Sequence, residues 1–332
     1  VTRGAICASM ETEQVRRTLI LNRLEGLVEE MGDQLQRTAL SANIRERLDF
    51  SCALLDAEGR LLVNAPHIPV HLGALGLCVR ECIRDHELGP GDVLVTNHPA
   101  FGGSHLPDVT LVSRLFGPGG EPMGYLASRA HHAEWGGSSP GSMPAHATTL
   151  EEEGVILRPQ WLIRDGRDRF AAITAQLRTA RYPSRAVREN RIDLEAQLAS
   201  LRRGTGLFAE LLGDFSPDLV GDCFRELYDS ATEALTGALE AGGFRSGTAG
   251  VRMDDDHRIQ VAITAEKGAV TVDFSGTDPV HPGNLNATPA IVRSAVLYVM
   301  RFLVDRSMPL NEGLLEKVRV ILPECFLNPP FP

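Results

Sequence analysis

The chain has 332 residues, of which 43% are hydrophobic and 23% are charged, and it carries a formal net charge of −10 at pH 7. This composition is typical of a globular protein, and no stretch has the roughly 20 apolar residues that a membrane span requires. The acidic balance argues against nucleic acid as a partner, because phosphate binding needs a basic surface. The first residues lack the pattern of a signal peptide, so we expect a cytoplasmic protein with no membrane partner.

The first 96 residues predict two helices, a hairpin and a strand. An amphipathic helix is expected over residues 11–36, and strands over 51–55 and 61–63 flank a turn. A second helix over 70–86 ends before the Gly-Pro-Gly sequence at 89–91, and a short strand over 93–96 follows. The first helix is predicted by apolar residues at helical spacing, which are Ile20, Leu24, Leu27, Met31 and Leu35.

A loop over 97–106 then leads into a second hairpin. Its strands are predicted over 109–115 and 124–128, on either side of the Gly-Pro-Gly-Gly turn at 117–120. Residues 136–149 are rich in Gly, Ser and Pro and are predicted to form a surface loop. This second hairpin matters most, because chemically reactive side chains stand at the outer ends of both strands.

The rest of the chain is predicted to be helical first and mixed afterwards. Helices over 184–241 are expected to break near 204–206 and at 216–217. After them, strands are expected over 258–264, 270–274 and 318–322, and a helix over 291–304. Because helices and strands do not alternate regularly, we predict a mixed α+β fold with a large mixed sheet. The predicted divisions are a metal-site α/β domain (1–180), a helical segment (181–245) and a second α/β region (246–332). The Asn-Pro-Pro-Phe-Pro ending favours truncation of that last region.

The main chemical signal is a cluster of histidines around the second hairpin. Four of the ten histidines fall between His98 and His132, in or near the sequences GSHLPD (103–108) and RAHHAE (129–134). Asp108 and His131 are equidistant from the turn, so they should face each other across strands about 4.8 Å apart. Two side chains at that separation can bind one metal ion.

Neighbouring residues complete this predicted site. His105 stands on the loop before the strand and can turn towards Asp108, while Asp49 is a further candidate ligand. His131 and His132 should point to opposite faces of the strand, so one of them is expected to bind metal. His132 and Glu134 are candidates for moving protons. Two imidazoles and a carboxylate suit Zn²⁺, Mn²⁺ or Fe²⁺, although any one of these histidines taken alone could be structural.

For other polar residues, the sequence leaves a functional role to be weighed against a purely structural one. His67 and His71 flank the start of the second helix and could contact substrate, although helix capping or packing explains them as well. Residues 254–257 (Asp-Asp-Asp-His) are most simply a solvated turn. The asparagines of 283–286 could bind a ligand or stabilise a turn.

Seven sequence segments resemble the hydantoinase B/oxoprolinase family, and the similarity runs from about residue 15 to the end. They are residues 47–53, 66–73, 102–108, 129–137, 140–144, 193–197 and 283–287. The family includes N-methylhydantoinase B subunits, half of 5-oxoprolinase, and subunits of acetone and acetophenone carboxylases. The resemblance implies a hetero-oligomer with an ATP-binding, hydantoinase A-like partner, and a metal held by His105, Asp108 and His131. His98 and Glu134 depart from the family pattern, which usually has Asp at both positions.

The resemblance therefore implies the metal-carrying B subunit of an ATP-dependent hydrolase of cyclic amides such as hydantoin or 5-oxoproline. The chain itself has only Lys267 and Lys317 as lysines and no phosphate-binding GxxxxGK[ST] loop, which agrees with ATP binding on a partner. Three alternatives stay open. They are a subunit of an ATP-dependent ketone carboxylase, a non-haem iron oxygenase, whose usual spacing is His-x-Asp, and a non-catalytic scaffold.

Overall fold

The computed structural model describes residues 3–64, 68–141, 144–242, 245–266, 268–304 and 308–331. The helices are α1 (Arg3–Thr38), α2 (Ala42–Arg45), α3 (Pro69–Arg84), α4 (Leu150–Glu153), α5 (Phe170–Thr179), α6 (Val187–Asp214), α7 (Pro217–Glu240) and α8 (Pro289–Phe302). The strands are β1 (Phe50–Asp56), β2 (Leu61–Asn64), β3 (Val93–Thr96), β4 (Asp108–Phe116), β5 (Pro122–His131), β6 (Gln160–Arg164), β7 (Arg167–Asp168), β8 (Gly247–Arg252), β9 (Arg258–Glu266), β10 (Ala269–Asp273) and β11 (Val318–Ile321). Within these ranges, no helix is both long enough and apolar enough to span a membrane.

Two sheets organise the fold and confirm the predicted mixed α+β class. The larger sheet has seven antiparallel strands in the order β2-β1-β5-β4-β3-β6-β7. The smaller sheet has the order β11-β10-β9-β8, and its β10–β11 pair is parallel. Both predicted hairpins and strand β3 are confirmed. The strands of the second hairpin are longer than predicted and reach Asp108 and His131.

The large sheet is covered on both faces, and successive side chains of its central strands belong in turn to two hydrophobic clusters. On β5, Leu126 and Ala130 pack towards α1 and α6, whereas Tyr125 and Ala127 pack towards α3. Successive side chains of a strand point to opposite faces, so this alternation sets the direction of every residue at the strand ends. Even-numbered β5 residues face α1 and α6, and odd-numbered residues such as His131 lie on the α3 face.

The predicted helix break at 204–206 is wrong, because α6 runs without interruption from Val187 to Asp214. Gly204 lies where α6 packs against α1 and β5. A Cβ atom there would come within 2.4 Å of Met31 Sδ and 2.8 Å of Leu126 Cδ1. The glycine therefore permits a close approach between elements. The predicted break at Ser216-Pro217 is confirmed, since Pro217 starts α7 and the Ser216 hydroxyl accepts a hydrogen bond from Leu219 N.

Two glycines of α6 give a matched test of this packing. Gly204→Ala should lower the free energy of unfolding by about 1–2 kcal/mol, because the strain of overpacking outweighs the gain in helix propensity. Gly206→Ala has nothing within 4 Å of its new Cβ and should raise stability by up to about 1 kcal/mol. Denaturant unfolding of both variants measures the difference. Equal stabilisation by the two substitutions would contradict the packing role of Gly204.

A second hydrophobic core lies around the smaller sheet. It joins residues of β10 and α8 to the C-terminal half of α7, which contributes Ala231 and Leu235. Helix α7 therefore contacts both cores, since Val220, Phe224 and Leu227 belong to the cluster of the large sheet. The segment after β10 meets the loop before β4, where Thr288 Oγ1 donates to Gly103 O at 3.1 Å.

Candidate metal centre

The β4–β5 pairing brings the predicted ligands together. Asp108 pairs directly with His131, as their distance from the turn predicts, and His131 Nδ1 lies 3.9 Å from Asp108 Oδ1. Asp49 immediately precedes β1, the other neighbour of β5, and its Oδ2 lies 3.1 Å from the same nitrogen. The main chain supports this arrangement, because His131 N donates to Asp49 O. Asp49, Asp108 and His131 thus lie side by side at the ends of three adjacent strands, β1, β4 and β5.

His105 reaches these strand ends from the loop before β4. Its Nδ1 lies 3.0 Å from Asp108 Oδ2, and its ring meets the His131 ring edge-on at 4.7 Å between centroids. The loop packs closely on α3 at Gly102, which has a left-handed φ of 76°, and a Cβ there would lie 2.5 Å from Cys78 N. A side chain at Gly102 would therefore push the loop, and His105 with it, away from α3.

His71 is buried in the same cluster, on the first turn of α3. Its Nε2 lies 3.2 Å from Asp108 Oδ2 and its Nδ1 lies 3.0 Å from Ser51 Oγ. An ionised carboxylate only accepts hydrogen bonds, so Nε2 carries a proton, and in the neutral ring Ser51 donates to Nδ1. The sequence left substrate contact or packing open for His71, and its contact with Asp108 was missed. His67 lies outside the described residues.

The electrostatics of Asp108 indicate a cation site. The side chain is 1% exposed, and its Oδ2 also accepts a hydrogen bond from the Ser104 hydroxyl. Burial alone would raise the pKa of Asp108, but His71 and His105 hold that pKa well below its usual value. Burial alone would lower the pKa of His105, but the charge of Asp108 outweighs burial and raises this pKa.

Asp108 Oδ1 is buried and has no hydrogen bond within the described structure. Buried carboxylate oxygens are normally satisfied, so this atom calls for a missing partner. One ligand atom from each of His105, Asp108 and His131 can be chosen so that all three lie within 4.8 Å of one another. Asp49, His71 and Asp108 form an overlapping group of the same kind. A divalent transition metal is chemically compatible with the donor set of His105, Asp108 and His131, whereas both ring nitrogens of His71 already have partners in Asp108 and Ser51.

His132 and Glu134 lie away from these groups. His132 occupies the opposite face of the sheet, where its Nε2 is 3.1 Å from Gln197 Oε1 and burial lowers its pKa. Glu134 Oε1 accepts from Gly136 N at 2.7 Å and lies 3.2 Å from Arg185 Nη1. Both side chains therefore have partners other than the metal group, and their role in proton transfer stays a prediction.

A second histidine group is found between the β8–β9 turn and the loop after β10. Asp255 Oδ2 lies 3.0 Å from both His257 Nδ1 and His281 Nε2. Gly283 N donates to His281 Nδ1 at 2.9 Å, so the proton of the neutral ring is on Nε2. A protonated nitrogen cannot bind a metal, and we interpret this group as a polar contact that links the turn and the loop. The sequence predicted a solvated turn here and missed the link.

A cavity of about 390 Å³ opens beside His105. Its walls come from the loop before β4, the α4 region, the loop before α8 and residues 329–331. The polar side chains that line it include Ser104, His105, Thr148, Glu153, Asn284 and Thr288. Asn284 was a sequence candidate for ligand binding, and its Nδ2 donates to Pro144 O. Glu153 was not a candidate, because no motif marks it and only the fold brings it here.

Comparison with known proteins gives consistent matches. The family model described as Hydantoinase B/oxoprolinase matches residues 13–332. The chain is 39% identical to 5-oxoprolinase 1 of Arabidopsis thaliana over 95% of this chain and 27% of that protein. It is 36% identical to 5-oxoprolinase of Saccharomyces cerevisiae over 97% of this chain and 26% of that protein. The chain thus spans about a quarter of the length of these relatives.

One solved structure combines similar folding with detectable sequence identity. The ATP-dependent caprolactamase from Pseudomonas jessenii has a TM-score of 0.82 and 26% identity, over 93% of this chain and 54% of the caprolactamase chain. Nucleotide-free acetone carboxylase has a TM-score of 0.85 over 96% of this chain and 45% of its own. Its identity is 18%, so that likeness establishes the fold alone. Because the family model covers nearly the whole sequence, the chain belongs to the hydantoinase B/oxoprolinase family.

Proposed function

We propose that this chain carries the metal centre of an ATP-dependent hydrolase that opens cyclic amides. The observation that carries the proposal is the group of His105, Asp108 and His131, in which His105 lines a cavity and a buried Asp108 oxygen lacks a partner. A cavity of about 390 Å³ is large enough for a small lactam or hydantoin ring. Membership of a family that includes 5-oxoprolinases supports the same substrate class.

The proposed metal is Zn²⁺, Mn²⁺ or Fe²⁺, and His105, Asp108 and His131 would hold it, with Asp49 as a further ligand. When bound, such an ion polarises a carbonyl group and lowers the pKa of water. The chain's own contribution is orientation. His71 and Ser104 both contact Asp108 Oδ2, which leaves Oδ1 directed towards His131. Partners that orient metal ligands in this way typically strengthen metal binding about 10–100-fold.

ATP is proposed to bind to a partner of the hydantoinase A type within a hetero-oligomer. An unstrained amide resists attack by water, and phosphorylation of its oxygen makes the carbon more electrophilic. The family relationship and the ATP dependence stated for the P. jessenii caprolactamase support this arrangement. The present chain would then bind the activated ring and supply the groups that complete its opening.

The experiment is metal analysis and a turnover screen of the full-length natural protein co-purified with its ATP-binding partner. We expect about one metal per chain, and ATP hydrolysis coupled to the opening of 5-oxoproline, a hydantoin or a larger lactam. Bicarbonate-dependent turnover of a ketone, without lactam opening, would instead identify a carboxylase. A complex with neither metal nor turnover would indicate a scaffold subunit.

A further inference from the structure

Three consecutive glutamates end the short helix α4, and each has a different environment. Glu152 forms a capping box, in which its Oε2 accepts from Thr148 N at 2.7 Å and from Thr149 N at 3.2 Å. Glu151 is exposed, and its Oε2 lies 3.8 Å from Arg181 Nη1. Glu153 is half-buried and lines the cavity beside His105. The capping box fixes the turn and thereby determines which glutamate faces the cavity.

The α4 turn is also fixed relative to the strand that ends at His131. Val155 N donates to Trp135 O at 2.9 Å, and Trp135 Nε1 donates back to Val155 O at 2.8 Å. A Cβ atom on Gly137 would lie 2.8 Å from Glu153 O, so the segment after β5 packs tightly on the turn. These contacts give Glu153 a defined position with respect to His105, Asp108 and His131.

Glu153 differs from the other acidic side chains near the site because it lacks a partner. Asp49 and Asp108 contact histidines, and Glu134 contacts Arg185. The Glu153 carboxylate has no hydrogen bond or ion pair within the described residues, and it is the acidic side chain among those that line the cavity. The Glu153 carboxylate is therefore available to a molecule that enters the cavity.

Burial raises the pKa of Glu153, and the nearby His105 opposes this rise. A carboxyl group in such an environment is suited to both accepting and giving a proton, as general acid–base catalysis requires. The remaining walls offer no competing base at this position, since they consist of hydroxyl, amide and apolar side chains such as Thr149, Asn286 and Val280, with His281 held by Asp255 and Gly283.

We propose that Glu153 is the catalytic acid–base group of this cavity, a role that rests on the proposed hydrolase function. The activated ring is an imidate phosphate, formed when the amide oxygen takes the phosphoryl group of ATP and the amide nitrogen releases its proton. A water oxygen forms its bond to the ring carbon, and the Glu153 carboxylate passes the two protons of that water in turn to the ring nitrogen as the carbon–nitrogen bond breaks, which leaves an amine and an acyl phosphate. A second water then replaces phosphate on the acyl carbon, so that a carboxyl group and inorganic phosphate are released and Glu153 returns to its starting state.

The test compares Glu153→Gln with Glu151→Gln in the full-length protein bound to its partner. Glu153→Gln should lower kcat for lactam opening about 10²–10⁴-fold, the usual contribution of a positioned acid or base. Its metal content should equal that of the wild type, and Glu151→Gln should retain wild-type kcat. A Glu153→Ala variant should regain part of its activity when formate is added, because a free carboxylate can occupy the space left by the side chain.

Each remaining outcome decides against the proposal. A Glu153→Gln variant within about threefold of wild-type kcat would exclude proton transfer, given the expected factor. Loss of metal from the same variant, or absence of formate rescue in Glu153→Ala, would assign Glu153 a structural role. A wild-type complex that opens no lactam would overturn the hydrolase function, and the role of Glu153 with it. Wild-type activity thus separates the failure of one proposal from the failure of the other.

Discussion

His105→Ala is expected to lose the metal and the activity of the complex while the chain stays folded. The imidazole supplies one of three ligand atoms that lie within 4.8 Å of one another, and nothing else in the described structure can replace it from the loop before β4. Metal affinity should fall more than about 100-fold, which exceeds the effect of removing a group that only orients a ligand. Stability should change little, because the His105 side chain is 32% exposed at the cavity wall.

The measurements are metal content after gel filtration, metal titration of the chelator-treated protein, and the melting temperature. His257→Ala is the matched control, since it removes a histidine from a similar His-His-Asp group that we interpret as a polar contact between the β8–β9 turn and the loop after β10. This control should keep its metal and its activity. Metal loss in His257→Ala but not in His105→Ala would show that the metal binds at Asp255, His257 and His281, and it would refute the proposed centre.

Glu312→Ala is expected to give the largest loss of stability. The Glu312 side chain is 4% exposed and joins elements that are distant in sequence. Its oxygens accept from Arg80 Nη1 and Nη2, each at 2.9 Å, from Arg293 Nη2 at 3.3 Å and from Leu61 N at 2.9 Å. Removing the carboxylate leaves two arginines without their common partner, between α3, α8 and the first hairpin.

The expected destabilisation is about 2–4 kcal/mol, somewhat below the full effect for a buried pair because both arginines are about one-third exposed. Burial alone would raise the pKa of Glu312, but Arg80 keeps it below its usual value. The carboxylate therefore stabilises the fold above the unfolded-state pKa, and this contribution is lost as the pH falls through the folded-state pKa.

Urea unfolding at pH 7 and in acid measures both effects. Glu58→Ala provides the comparison, because Glu58 is 66% exposed and its ion pair with Arg60 at 3.4 Å should contribute less than about 1 kcal/mol. The difference in stability between Glu312→Ala and the wild type should shrink at low pH. A destabilisation no greater than that of Glu58→Ala would show that the buried network does not hold these elements together.

Local patterns in the sequence determined much of the fold and part of the site. Strand periodicity and a glycine-rich turn were enough to predict that Asp108 faces His131, because pairing in a hairpin depends only on residues near the turn. The same alternation predicted that His131 and His132 point to opposite faces. Prediction failed at Gly204, since a glycine at a close helix contact is indistinguishable in sequence from a helix breaker.

Weakly patterned elements were also missed. Strand β8 lies at the edge of the small sheet with all six residues exposed, so it lacks the alternation of a half-buried strand. Helix α5 was not predicted either, although it buries Phe170, Ile173 and Leu177. Elements of this kind depend on neighbours that the local sequence does not specify.

Only the tertiary structure decided which distant groups share the site. His71 reaches Asp108 because α3 packs on one particular face of the sheet, and Glu153 faces the cavity because contacts with Trp135 fix its turn. Glu312 meets Arg80 across 232 residues of chain. Such contacts are set by the packing of whole elements, which buries apolar surface without regard to distance in sequence. The sequence by itself therefore determined the hairpin that carries Asp108 and His131, the proposed metal ligands, and packing determined the groups that orient them and line the cavity.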